Sequence, residues 1–251
     1  MKKQMFSLKS LLLAILVVPV LFMFTACGGG QLDQKASCVT SGSWSKSDDI
    51  TTSYNTAIDG KTGVEASAYR FTLDFEMSGG GQSISLLLNS IIDGDDMATK
   101  IVVPKVDSKG KINGTETAYM YITGNKAYMD ADGKKLYYEG DDVSERMNEL
   151  SGYMSMIQAY RDPDYVMNSL NSLGNAEVSK SGNNYKIVGT SITDNDTTIY
   201  LNFDSEGKLI AFRGGFFIGS STGSMTVTIT MSAFDGEIEF PNFDGYKAVT
   251  A

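Results

Sequence analysis

Two cysteines, Cys27 and Cys38, are the only thiols in a chain of 251 residues that contains no histidine. The missing imidazole removes Ser-His-Asp and Cys-His nucleophile systems, histidine-based zinc sites and imidazole acid-base chemistry together. The acids do not replace it. Asp130-Ala131-Asp132-Gly133 and Asp93-Gly94-Asp95-Asp96 have the composition of calcium loops. Neither continues into the full ligand spacing with its closing bidentate Glu, so both read as hairpin turns and no metal is expected. The remaining carboxylates fall in turns and helix starts, where no pair stands out as a glycosidase couple. No Gly-rich segment joins a strand to a helix as a phosphate cradle requires. The chain reads as non-enzymatic and without a cofactor.

What Cys27 can do depends on what precedes it. Lys2, Lys3 and Lys9 form a basic leader, and Leu11 to Phe24 is a nearly unbroken apolar run. That run is shorter than the roughly 20 residues of a membrane span and is closed by small residues, which is the pattern of a secretory signal. The step Phe24-Thr25-Ala26-Cys27 resembles the lipobox of bacterial lipoproteins, with Phe24 where Leu is commoner. The resemblance implies that the Cys27 thiol receives a diacylglyceryl group and that the chain is cut before it. It places the mature protein at the cell membrane, lipid-anchored on the extracytoplasmic face. Residues 1–26 are then a signal peptide, 27–65 a lipidated N-terminus and flexible tether, and 66–251 the folded domain. Once Cys27 is acylated, Cys38 has no partner for an intrachain disulfide.

The leader takes three lysines and no acid with it, leaving 225 residues with 18 Lys+Arg against 30 Asp+Glu, a net charge of −12. Such a surface repels nucleic acid and anionic headgroups alike, so no nucleic-acid partner is expected and membrane residence falls to the lipid. From Gly28 to Asp49 the residues are Gly, Ser, Thr, Lys and Asp around one tryptophan, Trp44, without a period. A coil of about 20 residues would let the domain range roughly 25 Å from its anchor. A short helix is predicted within Ile50–Val64.

The elements beyond it follow from periodicity. Tyr69 to Met77 places large apolar residues at every second position, a strand with one buried face. Ser83–Ile91, Met97–Val103, Thr117–Thr123, Lys126–Asp130 and Lys134–Tyr138 follow, separated by turn dipeptides such as Gly124-Asn125. The period then changes to about 3.5: Asp142 and Glu145 form a capping box, and Met147, Leu150, Met154, Ile157 and Tyr160 recur at helical spacing. Asp162-Pro163-Asp164 starts a second helix carrying Met167 and Leu170. Five more strands are predicted at Glu177–Lys180, Tyr185–Thr190, Thr197–Asp204, Leu209–Ile218 and Ser224–Phe234, with Gly214-Gly215 marking a bulge or bend. Pro241 stops pairing before an extended tail.

The fold class is thus mainly β (α+β): a curved antiparallel sheet of about eleven strands, with two short helices after the sixth covering its concave face. Methionine accommodates varied apolar shapes, and a sheet too large to fill its own hollow leaves room beneath such helices. Phe71, Leu73 and Phe75 of the first strand, with Met147, Leu150, Met154, Ile157 and Met167 of the helices, are the candidate lining of an apolar cavity. The order of strands, helices and strands, ending at Ile238 to Pro241, resembles carriers of the LolA/LppX kind over Ala66 to Lys247. So do the local sequences Tyr121–Tyr128 and Asp132–Tyr137. The resemblance implies an unclosed barrel with a cavity for acyl chains. The expected function is binding or carrying a lipid or other apolar ligand from a membrane anchor. The alternative is a non-enzymatic interaction or sensor module with an envelope protein partner and no small ligand.

Overall fold

A computed structural model of the chain describes residues 30–47, 67–79, 82–107, 111–131, 133–140, 143, 173–190, 196–218 and 223–249. A two-residue strand, β1 (Ser45–Lys46), precedes six long ones: β2 (Ala68–Gly79), β3 (Gln82–Asp93), β4 (Asp96–Val106), β5 (Ile112–Thr123), β6 (Lys126–Ala131) and β7 (Lys134–Glu139). Five more follow: β8 (Gly174–Ser181), β9 (Asn184–Thr190), β10 (Asp196–Phe203), β11 (Leu209–Ile218) and β12 (Gly223–Ala233). A last short strand, β13 (Lys247–Ala248), completes the set. The eleven long strands are those the periodicity predicts. Gly94 and Gly124, at φ of +58° and +59°, turn β3 into β4 and β5 into β6, a left-handed conformation that glycine adopts without a Cβ clash.

All the strands among the described residues belong to one sheet in the order β1-β8-β9-β10-β11-β12-β2-β3-β4-β5-β6-β7-β13. Each half of the chain is a meander. The halves join where β2 pairs with β12 along its length, from Gly79↔Gly223 to Tyr69↔Ala233. β7 and β8, successive long strands, therefore lie at opposite margins, and the curved sheet is an unclosed barrel. We call the end with the turns Asp93–Asp96 and Thr123–Lys126 the lower end, and the end where β2 passes to β3 the upper end.

Antiparallel partners share a face, so the registers sort every side chain. One face carries Phe71, Leu73, Phe75, Leu86, Leu88, Ile101, Met120, Ile187, Ile199, Leu201, Phe212, Val227 and Ile229. The other carries Arg70, Thr72, Asn89, Lys100, Tyr121, Tyr128, Asp130, Tyr200, Asn202, Arg213 and Thr230.

The second face is covered by the chain's own terminal segments, and here the structure corrects the sequence. The stretch expected as a flexible tether lies, from Gln31 to Ser47, across the sheet as a strap. It follows one cross-strand row: Asp33 meets Lys100, Asn89 donates to the Gln34 carbonyl at 2.9 Å, Ser37 N–H donates to Thr230 at 2.8 Å, and Val39 N–H donates to Asn202 at 2.6 Å. Gly42 then passes Ser181, and Ser45–Lys46 pairs with the edge of β8. The ten residues from Asp33 to Gly42 pass eight neighbouring strands, β4 to β8. That is little more than one residue per strand spacing of about 4.8 Å, so the strap is close to fully extended. Composition misled because each anchor is a polar side chain on the sheet, invisible in a polar strap.

From Phe234 onward the chain crosses the other half of the same face. Phe243 stacks on Tyr128 at 3.7 Å between ring centres, Leu32, Ile238 and Phe240 pack with Ile91, Ala98 and Tyr121, and β13 pairs with the edge of β7. The bulge expected at Gly214-Gly215 is absent, since β11 and β12 pair without a shift from Ala211 to Ile218. Register shifts occur instead at Asn202/Phe203, at Gly174/Glu177 and at Pro104/Val106, where Gly114 at φ +86° takes up the extra residue. The signal peptide, Cys27, the helix expected at 50–64 and the two helices expected after the sixth long strand lie outside the described residues, Val143 excepted.

Candidate functional site

The apolar face is built of cross-strand rows. One runs Val178, Ile187, Ile199, Gly214, Val227, Phe75, Leu86, and the next below it runs Tyr185, Leu201, Phe212, Ile229, Leu73, Leu88, Ile101. These rows form one hydrophobic cluster, whose buried members each contribute about 1.5–3 kcal/mol relative to exposure. Phe71 (0% exposed) and Leu73 (1%) sit in its packed centre, whereas Phe75 is only partly buried at its margin. Two of the three strand residues expected to line a cavity are therefore core. Met147, Leu150, Met154, Ile157 and Met167 fall outside the described residues.

Residues that sequence reading did not single out complete the accessible margin. Ile101, Val103 and Met225 join Phe75 as partly exposed members of the cluster. Their location has a backbone cause. β3 and β4 pair only from Leu87↔Val102 down to the Asp93↔Asp96 turn, although β3 continues to pair with β2, and β4 with β5, well above that point. The sheet splits between β3 and β4 at its upper end, and Leu86 and Val103 flank the split on the apolar face. Glu116, 3.9 Å from Lys105, stands directly opposite Val103 and bounds the apolar surface on the β5 side, while buried Met77 and Ile84 continue it above Leu86. Thr197, only 1% exposed, also points to this face from β10, and its hydroxyl has no hydrogen-bond partner. Only a register map could have found this set, because the split is a mismatch of ladder lengths rather than a residue motif.

The described residues nearest the ends of the connection from β7 to β8 both return to this face. Val143 is buried against Met97, Met120, Ile122 and Ala127 at the lower end, and Leu173 packs on the main cluster over Gly189 at the upper end.

The perturbed ionisable groups lie on the strapped face. Burial pushes the Cys38 thiol up to about 12, the nearby Arg213 charge opposing it. Burial also raises the carboxyl of Asp130 and the hydroxyl of Tyr121, both on the sheet, and the hydroxyl of Tyr246, which the C-terminal segment brings to them. Arg70, its pKa lowered by burial, donates to the Gln31 carbonyl and to Asn89 and lies 5.5 Å over the Phe234 ring, so it ties both terminal segments to β2.

No protein-family model matches the chain, and no curated protein matches it significantly. Solved structures do. LprF from Mycobacterium bovis matches at 13% identity and a TM-score of 0.38, over 80% of this chain and 100% of that one. A DUF1329 family protein from Desulfovibrio piger ATCC 29098 matches at 11% identity and a TM-score of 0.27, over 76% and 95%. A LolA superfamily protein from Nitrosomonas europaea matches at 8% identity and a TM-score of 0.27, over 74% and 94%.

Proposed function

We propose that the protein is a lipid-anchored, non-enzymatic protein of the extracytoplasmic membrane face that binds an apolar ligand, a lipid acyl chain above all, on the upper half of the apolar face. The observation that carries this reading is the pairing of a partly exposed apolar margin, Phe75, Ile101, Val103 and Met225, with a local split in the sheet beside it. An acyl chain of about fourteen methylenes has a gross transfer gain on the order of 10 kcal/mol there, before ordering costs. In this reading Met147, Leu150, Met154, Ile157 and Met167 add apolar surface, and the Thr197 hydroxyl offers a hydrogen bond to a ligand oxygen.

The test is native mass spectrometry and lipid extraction of purified protein, followed by titration with a fluorescent fatty acid. Retained lipid, with binding weakened at least tenfold by Phe75→Asp, is the expected result. Protein that retains no lipid and binds neither fatty acid nor phospholipid overturns it. A second reading is favoured by the backbone of Ser83 to Leu86, which pairs with β2 on one side and with no described strand on the other. Such an edge suits an added strand from an envelope protein partner, and a co-purifying protein displaced by a Leu86→Pro change would support that role.

A further inference from the structure

We propose that the strap converts the anchor at Cys27 into a fixed pivot, so that the lower end of the sheet faces the bilayer and the split upper end stands away from it. This rests on the lipid attachment proposed above.

Three residues, Gly28 to Gly30, separate Cys27 from Gln31. Gln31 is held on all sides. Its Nε2 donates to the Glu237 carbonyl at 2.8 Å, its Oε1 accepts from Glu239 N–H at 2.9 Å, and its carbonyl accepts from Arg70. Leu32 beside it is buried against Ile91 and Ala98. The leash from Gly30 back to Cys27 therefore spans at most about 11 Å. Arg70 pairs with Ile91, two residues above the lower turn and nine below Gln82. The pivot thus lies about 7 Å from the lower end and about 30 Å from the upper end, further than the leash extends.

The upper end could approach headgroups only if the molecule lay flat on its strapped face. That posture presses the exposed carboxylates Asp235, Glu237 and Glu239 toward the membrane. A body of net charge −12 held at an eccentric point above an anionic bilayer swings its bulk outward and leaves the pivot nearest the surface. Because the leash matches a Debye length of about 10 Å at 0.1 M salt, the orientation sharpens at low ionic strength.

The experiment uses the lipidated full-length product in a Cys38→Ser background, with a donor dye on Asp95→Cys at the lower end or Ser83→Cys at the upper end. The ten β3 steps from Ser83 to the turn at Asp93 measure about 33 Å. Vesicles of phosphatidylcholine and phosphatidylglycerol carry an acceptor-labelled lipid. Energy transfer should be several-fold stronger from position 95 than from position 83, and twenty Gly/Ser residues inserted after Gly29 should abolish the difference. Equal or reversed transfer in the native-length protein overturns the inference. The mass of the Cys27 peptide separates the two failures. Lipid present with equal transfer sinks only the orientation, whereas lipid absent sinks the anchor and the orientation with it.

Discussion

The side chain of Asn202 pairs with the backbone of Val39 as a neighbouring strand would: Val39 N–H donates to Oδ1 at 2.6 Å, and Nδ2 donates to the Val39 carbonyl at 3.2 Å. Thr230 repeats the arrangement with Ser37, accepting its N–H at 2.8 Å and donating to its carbonyl at 3.0 Å. Gln31 does the same for Glu237 and Glu239. A segment that crosses strands at right angles cannot join their ladders, so side chains supply the partners its backbone needs.

Removing one such partner takes two hydrogen bonds from the part-buried backbone N–H and C=O of Val39. Asn202→Ala should lower unfolding free energy by about 1–3 kcal/mol, read as a shift of the urea midpoint at constant slope. An unchanged midpoint would mean the strap contributes nothing to stability.

Cys38 reports on the same contact. With its thiol pushed up to about 12 by burial, the reactive thiolate is scarce in the folded protein. At pH 8 iodoacetamide should modify native protein on the order of 10³ times more slowly than unfolded chain, and Asn202→Ala should raise the native rate. Equal rates in folded and unfolded wild type would place the strap off the sheet.

Core and margin of the apolar face should separate on substitution. Leu73→Ala, at the packed centre, should cost about 2–5 kcal/mol. Phe75→Ser should cost less yet remove most fatty-acid binding. Parallel thermal melts and binding titrations decide, and the reverse pattern would move the ligand site inward.

Asp130 gives a signed pH dependence. Its carboxylate lies 3.6 Å from Lys135 Nζ and beside the Tyr246 hydroxyl, and burial raises its pKa above the ordinary 3.8 while Lys135 and Tyr246 oppose the shift. A raised value means that the folded state prefers the neutral acid. The stability this contributes is complete below the unfolded pKa and is lost as pH rises through the folded one. Asp130→Asn never ionises, so its advantage over wild type should widen between pH 4 and pH 7. Melting temperatures across that range test this, and a constant gap would show Lys135 and Tyr246 together compensating fully.

Cys27→Ala should abolish lipidation and leave an uncleaved precursor, since two acyl chains give stable attachment where one is marginal. Mass spectrometry of the membrane fraction reads the outcome, and a processed, lipid-bearing variant would contradict the lipobox reading.

The eleven long strands were legible because alternation is a local property, and Phe71, Leu73 and Phe75 announce a buried face without reference to any other residue. The strap was not. Its Gln, Ser and Val residues carry no period, and the groups that hold them, Asn89, Thr230 and Asn202, become a row only once β3, β2, β12, β11 and β10 stand in register, with Arg70 in the row beside it. Likewise Phe75 and Leu73 are indistinguishable in the sequence. What parts them is the point at which β3 and β4 stop pairing, a long-range property that neither strand encodes alone.

The short strands at the two margins bear on how the molecule keeps company with itself. Outer strands of an open sheet are templates onto which a second copy can add, and proteins crowded on a two-dimensional surface meet their own copies often. Here β1 occupies the outer side of β8 and β13 that of β7, each laid down by a terminal segment already fastened across the back of the sheet. A second chain would have to displace a terminal segment before it could begin a ladder on β7 or β8, a kinetic obstacle to edge-on association that does not require the sheet to close.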